Sequence, residues 1–134
     1  MYPAASPRIA VINSNDDILE IITAALTDEG YDASSAHARN FRLGQESLNQ
    51  FIAEHEPQVI LWDIAPPFVV NWQYFQEVKA LPIMQGRRFI LTTTNVRGLR
   101  EMVGDLPEGI FEIIGKPYEL GEIFSAIQKA LNVC

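Results

Sequence analysis

Three polar positions, each at the end of a short apolar run, carry the side chains best suited to chemistry in this sequence. Asp63 closes the run 59–62, the threonines at 92–94 follow the run 89–91, and Lys116 follows a third run. Runs of this kind are typical of buried parallel strands, whose carboxyl ends meet at one edge of a sheet. We therefore expect the acid, the hydroxyl and the ammonium group to share a cleft. Such a cleft could accept a phosphoryl group, because that reaction depends on positioning and charge neutralisation.

Strand-like and helix-like segments alternate along the chain and would position these side chains. Apolar runs predict strands, and amphipathic spacing predicts a helix after each one; the strands lie near 9–12, 31–35, 59–62, 89–91 and 110–114. Ser14 with Asp17 resembles a capping box, Asn71 could cap the helix after the third strand, and the stretch 37–43 fits neither pattern clearly. Right-handed crossovers then predict an α/β fold, a (βα)5 doubly wound parallel sheet of order 2-1-3-4-5 with flavodoxin-like topology.

The composition fits one packed domain. The chain has 134 residues, of which 48% are hydrophobic and 20% charged. A net charge of −7 disfavours direct binding to nucleic acid or to an anionic membrane surface. No apolar stretch approaches the ~20 residues of a membrane helix, and Cys134 has no cysteine to pair with, so we expect a cytoplasmic protein. Residues 1–7 are expected to form a flexible N-terminal segment before a domain at 8–134.

Several segments, in their order and spacing, resemble the receiver domain of bacterial response regulators from about Arg8 to Leu131. They lie at 9–12, 17–20, 29–31, 57–64, 79–82, 89–93 and 109–118, while the stretch 36–57 is longer than is usual in that family. The resemblance implies that Asp63 accepts the phosphoryl group, that Thr93 hydrogen-bonds its oxygens and that Lys116 pairs with its charge. It also implies a cis peptide bond between Lys116 and Pro117, which would turn the lysine inwards.

The metal-binding part of the family pattern is missing. The family places two acids directly after the first strand, where they hold Mg²⁺, whereas this sequence has Asn13 and Ser14. Any remaining metal site would involve Asp63, Ala65 and Asn13, and we expect it to be weak or absent because Mg²⁺ prefers carboxylate ligands. Asp16 could replace a missing acid only if the loop took a different course.

Two further departures affect the surroundings of the cleft. Residues 68–70 are apolar where the family has glycines and an acid, so they are expected to fold onto the third helix or to form a contact surface. Ile113 replaces an aromatic residue that changes rotamer in the family when the strand-4 hydroxyl moves. The usual switch towards the face formed by the fourth predicted helix, the fifth strand and the last helix is therefore not expected here.

Three functional hypotheses follow. The first is a stand-alone receiver domain in two-component or phosphorelay signalling, not an enzyme, with a sensor histidine kinase or phosphotransfer protein and a downstream protein as partners. It could form a homodimer through the face of the fourth helix, fifth strand and last helix. The second is a pseudo-receiver that binds proteins without phosphorylation, in which Asp63 is only a structural acid. The third, a flavodoxin-like flavin carrier or enzyme, is disfavoured because residues 13–16 contain no glycine for a phosphate loop.

Overall fold

The computed structural model describes residues 6–132. Most of the N-terminal segment expected at 1–7, and Cys134, therefore lie outside the described residues. The strands are β1 (Arg8–Asn13), β2 (Asp32–His37), β3 (Val59–Ile64), β4 (Arg88–Thr93) and β5 (Ile110–Gly115). The helices are α1 (Asp16–Asp28), α2 (Ala38–Arg42), α3 (Leu48–His55), α4 (Phe68–Lys79), α5 (Val96–Val103) and α6 (Leu120–Leu131), with a short 3₁₀ helix at Pro82–Met84.

The five strands form one parallel sheet in the order β2-β1-β3-β4-β5, which confirms the predicted topology. The central strand β3 is buried along its whole length. This burial explains its sequence, because a strand covered on both faces is apolar at successive positions rather than at alternate ones. Asp63 is the exception in that strand and lies near its carboxyl end.

Helices cover both faces of the sheet and enclose two cores. One core contains α1 and α6, whose apolar stripes pack against apolar residues of β1, β3, β4 and β5. The other contains α2, α3, α4 and α5, with Trp62, Phe75 and Phe89 among its largest side chains. Within residues 6–132, no helix is long and apolar enough to cross a bilayer.

Two predicted helix starts are wrong. Helix α1 is capped by Asn15, whose Oδ1 accepts the Ile18 N–H at 3.1 Å, rather than by Ser14. An Asn at this position satisfies one of the free amide groups of the first turn. Helix α4 begins at Phe68 directly after Pro67, so Asn71 lies inside the first turns and does not cap the helix.

The apolar segment 68–70 therefore forms the first turn of α4. Phe68 packs against the core, whereas Val69 and Val70 are 57% and 47% exposed. The segment is therefore part of the helix rather than folded back onto it as one expectation had it, and its role as a contact surface stays a prediction.

The unassigned stretch 37–43 forms the short helix α2. The His37 side chain caps it by accepting the Arg39 N–H at 3.3 Å, and Phe41 anchors it against Phe51, with ring centroids 5.6 Å apart. The longer segment between β2 and β3 thus contains two helices. The first of them carries Arg39 and Arg42 along the carboxyl edge of the sheet.

Candidate functional site

Asp63 and Lys116 meet at the carboxyl edge of the sheet. The Lys116 Nζ lies 2.7 Å from the Asp63 Oδ1, and the two side chains are 24% and 4% exposed. The Thr92 hydroxyl donates a hydrogen bond to the same carboxylate oxygen at 2.7 Å. The expected acid, hydroxyl and ammonium group are therefore in one cleft, with a nearly buried carboxylate held by two donors on one oxygen.

The end of β5 places Lys116 beside this carboxylate. Gly115 pairs with Thr93 in the sheet, and the Lys116 N–H donates to the Thr93 carbonyl oxygen at 2.8 Å. The Lys116–Pro117 peptide bond is cis, as the resemblance implies. A β-carbon on Gly115 would contact the Val96 side chain, so the close packing of α5 on β5 requires a glycine here.

The hydroxyl that contacts the carboxylate belongs to Thr92 and was not singled out by the sequence. In the β3–β4 register Thr92 lies opposite Asp63, whereas Thr93 lies opposite Ile64 on the other face of the sheet. Thr93 is fully buried, and its Oγ1 accepts the Asn95 N–H at 3.3 Å. The role of Thr93 in binding a phosphoryl group stays a prediction.

Tyr118 is a second group at the site that the sequence did not reveal. Its hydroxyl is buried and has no hydrogen-bond partner within the described range 6–132. Burial raises the pKa of Tyr118, and the negative charge of Asp63 raises that pKa further. The phenol is therefore neutral at physiological pH and close enough to sense the carboxylate.

Known proteins share this architecture. No family model matches the chain. This chain is 24% identical over 126 residues to the regulatory protein AtoC of Escherichia coli K12. The match covers 94% of this chain and 25% of AtoC. The chain thus spans about a quarter of the length of that relative.

Solved structures of response regulators also resemble this chain. The chemotaxis protein CheY4 of Vibrio cholerae superposes with a TM-score of 0.73 at 17% identity, covering 94% of this chain and 99% of CheY4. A response regulator from Desulfuromonas acetoxidans has a TM-score of 0.71 at 18% identity, covering 93% of this chain and 96% of the other. The chain therefore shares the fold of these response-regulator structures.

Receiver domains typically bind Mg²⁺, but the neutral oxygens at two of the predicted metal positions of this chain, and one of the two carboxylate oxygens at the third, already accept hydrogen bonds. The Asn13 Oδ1 accepts the Asn15 N–H at 3.0 Å. The Ala65 carbonyl oxygen accepts the Asn71 Nδ2 at 2.6 Å, and the Asp63 Oδ1 binds two donors, as described above. A single carboxylate with two engaged neutral oxygens does not suit a hard divalent cation.

Asp16 does not supply the missing acid. Its Oδ1 lies 3.7 Å from the His37 Nε2, on an 87% exposed side chain. In the portion of the chain that the structure describes, no three His, Cys, Asp or Glu side chains are grouped so as to hold a metal ion. The residues present therefore do not fit the Mg²⁺ site of the family.

A cavity of about 450 Å³ lies beside Asp63. Its walls combine apolar and cationic groups: Ser14, Ala38, Arg39, Arg42, Leu43, Trp62, Asp63, Ala65, Pro66, Pro67, Asn71 and Tyr74. The two arginines come from helix α2. The sequence analysis did not single them out; the unusual length of the segment 36–57 is the signal that could have found them, but its local structure could not be assigned.

Proposed function

We propose that this chain is a stand-alone receiver domain in two-component or phosphorelay signalling, acting in the cytoplasm, with Asp63 as the phosphoacceptor. The observation that carries the proposal is the 2.7 Å ion pair between Asp63 and Lys116 at the carboxyl edge of a receiver fold. A nucleophilic carboxylate beside a fixed ammonium group matches what phosphoryl transfer needs, since the charge that develops on the transferred group must be neutralised.

The free oxygen of the carboxylate is the nucleophile in this proposal. Lys116 and Thr92 both bind Oδ1, whereas Oδ2 accepts no hydrogen bond from any residue between 6 and 132. In the transfer, Oδ2 forms a bond to phosphorus while the bond from phosphorus to the donor's leaving group breaks, and the leaving group departs with that electron pair. Lys116 then pairs with the phosphoryl oxygens, and Thr93 is assigned to the same group.

The test is covalent labelling of the purified protein. Incubation with acetyl phosphate should add the mass of one phosphoryl group to the intact protein, with acetate as the leaving group. Asp63→Asn should gain nothing, and Asp105→Asn, which changes an exposed acid, should be labelled like the wild type. Wild-type protein that gains no mass under any metal condition would remove the proposed function.

A pseudo-receiver is the second candidate, and the engaged oxygens favour it. The Asn13 Oδ1 and the Ala65 carbonyl oxygen accept hydrogen bonds from neighbouring amide groups, so Mg²⁺ has few ready ligands. In this case Asp63 would serve as a structural anchor for Lys116, and the domain would bind its partner without modification. Absence of labelling together with unchanged partner binding by Asp63→Asn would support this alternative.

The proposed partners are a sensor histidine kinase or phosphotransfer protein and a downstream protein. The face of α5, β5 and α6 is assigned to the downstream partner or to a second copy of the chain. Met102, Leu106 and Leu120, on or between these elements, are large apolar side chains that remain 37%, 39% and 38% exposed. Sedimentation over a range of concentrations, with Leu106→Ser as the variant, tests the homodimer.

A further inference from the structure

The cavity beside Asp63 contains two cations, Arg39 and Arg42, that have no carboxylate partner in the part of the chain that the structure describes. Neither Arg39 nor Arg42 forms an ion pair with an acid among residues 6–132. The carboxylate of Asp63 is already paired with Lys116. The cavity therefore carries an excess of positive charge, although the chain as a whole has a net charge of −7.

Arg42 is held in place by two fixed contacts. Its Nη1 donates to the Asn71 Oδ1 at 2.6 Å, and its guanidinium carbon lies 5.3 Å from the centroid of the Tyr74 ring. Tyr74 responds to this charge: burial raises its pKa, and Arg42 partly lowers it again. A guanidinium stacked on an aromatic ring keeps its remaining N–H groups available in a fixed orientation.

Asn71 links the arginine to a predicted metal position. Its Nδ2 donates to the Ala65 carbonyl oxygen at 2.6 Å, so a chain of two hydrogen bonds joins Arg42 to that oxygen. The oxygen that the family pattern offers to a cation is thus used to orient an arginine through an amide.

From this arrangement we infer that Arg39 and Arg42, together with Lys116, form a metal-independent site for a phosphate-class anion. Guanidinium groups suit this ligand because their planar N–H groups match the oxygens of a phosphoryl group. The cationic side chains of helix α2 take over the charge neutralisation that a divalent ion supplies elsewhere. The ligand is either the phosphoryl group on Asp63 or a free phosphate, and only the first source rests on the proposed function.

The binding test uses inorganic phosphate in the presence of excess EDTA. Trp62 lines the cavity, so intrinsic tryptophan fluorescence or calorimetry can follow the titration. Wild-type protein should give a saturable response, weakened about tenfold or more in Arg42→Gln and in Arg39→Gln, since each loses a charge-assisted contact. The matched control is Arg97→Gln on α5, whose 93% exposed side chain pairs with Glu101 and should leave binding unchanged.

Arg39→Gln also guards against a folding artefact. The Arg39 side chain makes no hydrogen bond or ion pair within the described part of the chain, whereas Arg42 contacts Asn71 and Tyr74. A loss of binding in Arg39→Gln with an unchanged circular dichroism spectrum therefore reports on the ligand. No saturable response, a response that requires Mg²⁺, or a response retained by the double variant would overturn the inference.

Labelling with acetyl phosphate then distinguishes the two sources and separates this inference from the proposed function. Labelling of wild type in EDTA, reduced in the arginine variants, identifies the phosphoryl group on Asp63 as the ligand. Phosphate binding without labelling identifies a free anion and removes the proposed function but not the site. Labelling that occurs only with Mg²⁺ retains the proposed function and refutes metal independence.

Discussion

Replacing Lys116 by methionine should destabilise the domain far more than replacing its partner. The Asp63 side chain is only 4% exposed, and without Lys116 it would keep a single hydrogen bond, from Thr92. Removing one member of a buried ion pair leaves an uncompensated charge and typically costs about 3–5 kcal/mol. Because Lys116 is 24% exposed, the site is partly solvated, and we expect roughly 3 kcal/mol for Lys116→Met, at the lower end of that range.

Asp63→Asn should cost about 1 kcal/mol or less, because the Lys116 ammonium group that has lost its partner can be solvated instead. The ammonium group can turn towards solvent while the aliphatic stem stays packed. The asparagine also keeps an oxygen that can accept the hydrogen bond from Thr92. In the double variant the cost should be close to that of Asp63→Asn alone, which gives a coupling energy of about 2–3 kcal/mol.

Urea unfolding with linear extrapolation measures these differences, provided that the m-value is unchanged. For a domain of this size, 3 kcal/mol corresponds to a fall in Tm of roughly 12 °C. The matched control is Lys129→Met, because Lys129 lies 4.0 Å from Glu112 in an exposed ion pair and its side chain is 70% exposed. This substitution should cost less than about 0.5 kcal/mol. If Lys116→Met lowers the free energy of unfolding no more than this control does, or less than Asp63→Asn does, the buried ion pair does not stabilise the domain.

Three further substitutions test the surroundings of the ion pair by urea unfolding. Tyr118→Phe should stabilise the domain by about 1 kcal/mol, because it removes a buried hydroxyl that has no hydrogen-bond partner among residues 6–132. Burial raises the pKa of Tyr118 in the folded state. Above pH 10, roughly the pKa in the unfolded chain, the unfolded chain loses this proton while the folded protein retains it, so the free energy of unfolding falls as the pH rises. In Tyr118→Phe the free energy of unfolding should fall less over the same pH range. An equal fall in both proteins would contradict this. Thr92→Val should cost about 1.5–3 kcal/mol and Thr93→Val about 1 kcal/mol, because only the Thr92 hydroxyl hydrogen-bonds a charged oxygen. A larger cost for Thr93→Val than for Thr92→Val would refute the β3–β4 register. Gly115→Ala should cost about 1–3 kcal/mol because the new methyl group meets Val96, and Val96→Ala should recover much of it; additive losses would show that the contact is unimportant.

The sheet could be predicted from the sequence because burial on both faces leaves a simple pattern. Strands β1, β3 and β4 are continuous apolar runs, and all three lie in the interior of the sheet. Strand β2 is at an edge and contains the polar residues Ser34 and Ser35, which is why its signal was weak. Its actual bounds, Asp32–His37, are shifted from the predicted 31–35.

The ends of helices were harder to predict, because several nearby residues can cap. Asn13, Ser14 and Asn15 all have side chains that can accept a backbone N–H, and the choice depends on where the strand β1 stops. Asn13 is buried and accepts from Asn15, which leaves Asn15 to cap α1. Three-dimensional contacts, rather than local propensity, decide such cases.

The site was predictable to the extent that it depends on strand ends. Asp63 and Lys116 close parallel strands, so the topology brings them to one edge without further information. Thr92 could not be chosen over Thr93, since adjacent residues point to opposite faces and a one-residue change of register exchanges them. Arg39 and Arg42 were missed because α2 has only five residues, too few for a periodic signal.

The charges around Asp63 bear on the choice between a phosphorylated receiver and a pseudo-receiver. Loss of the two metal-binding acids alone would leave one carboxylate neutralised by Lys116, a pocket with no preference for an anion. The pocket also contains Arg39 and Arg42, two exposed guanidinium groups that add positive charge beside this ion pair. A phosphoryl group on the free oxygen of Asp63, or a phosphate beside it, would neutralise this added positive charge. The distinction therefore depends on how the cavity responds to anions in EDTA, more than on how it responds to Mg²⁺.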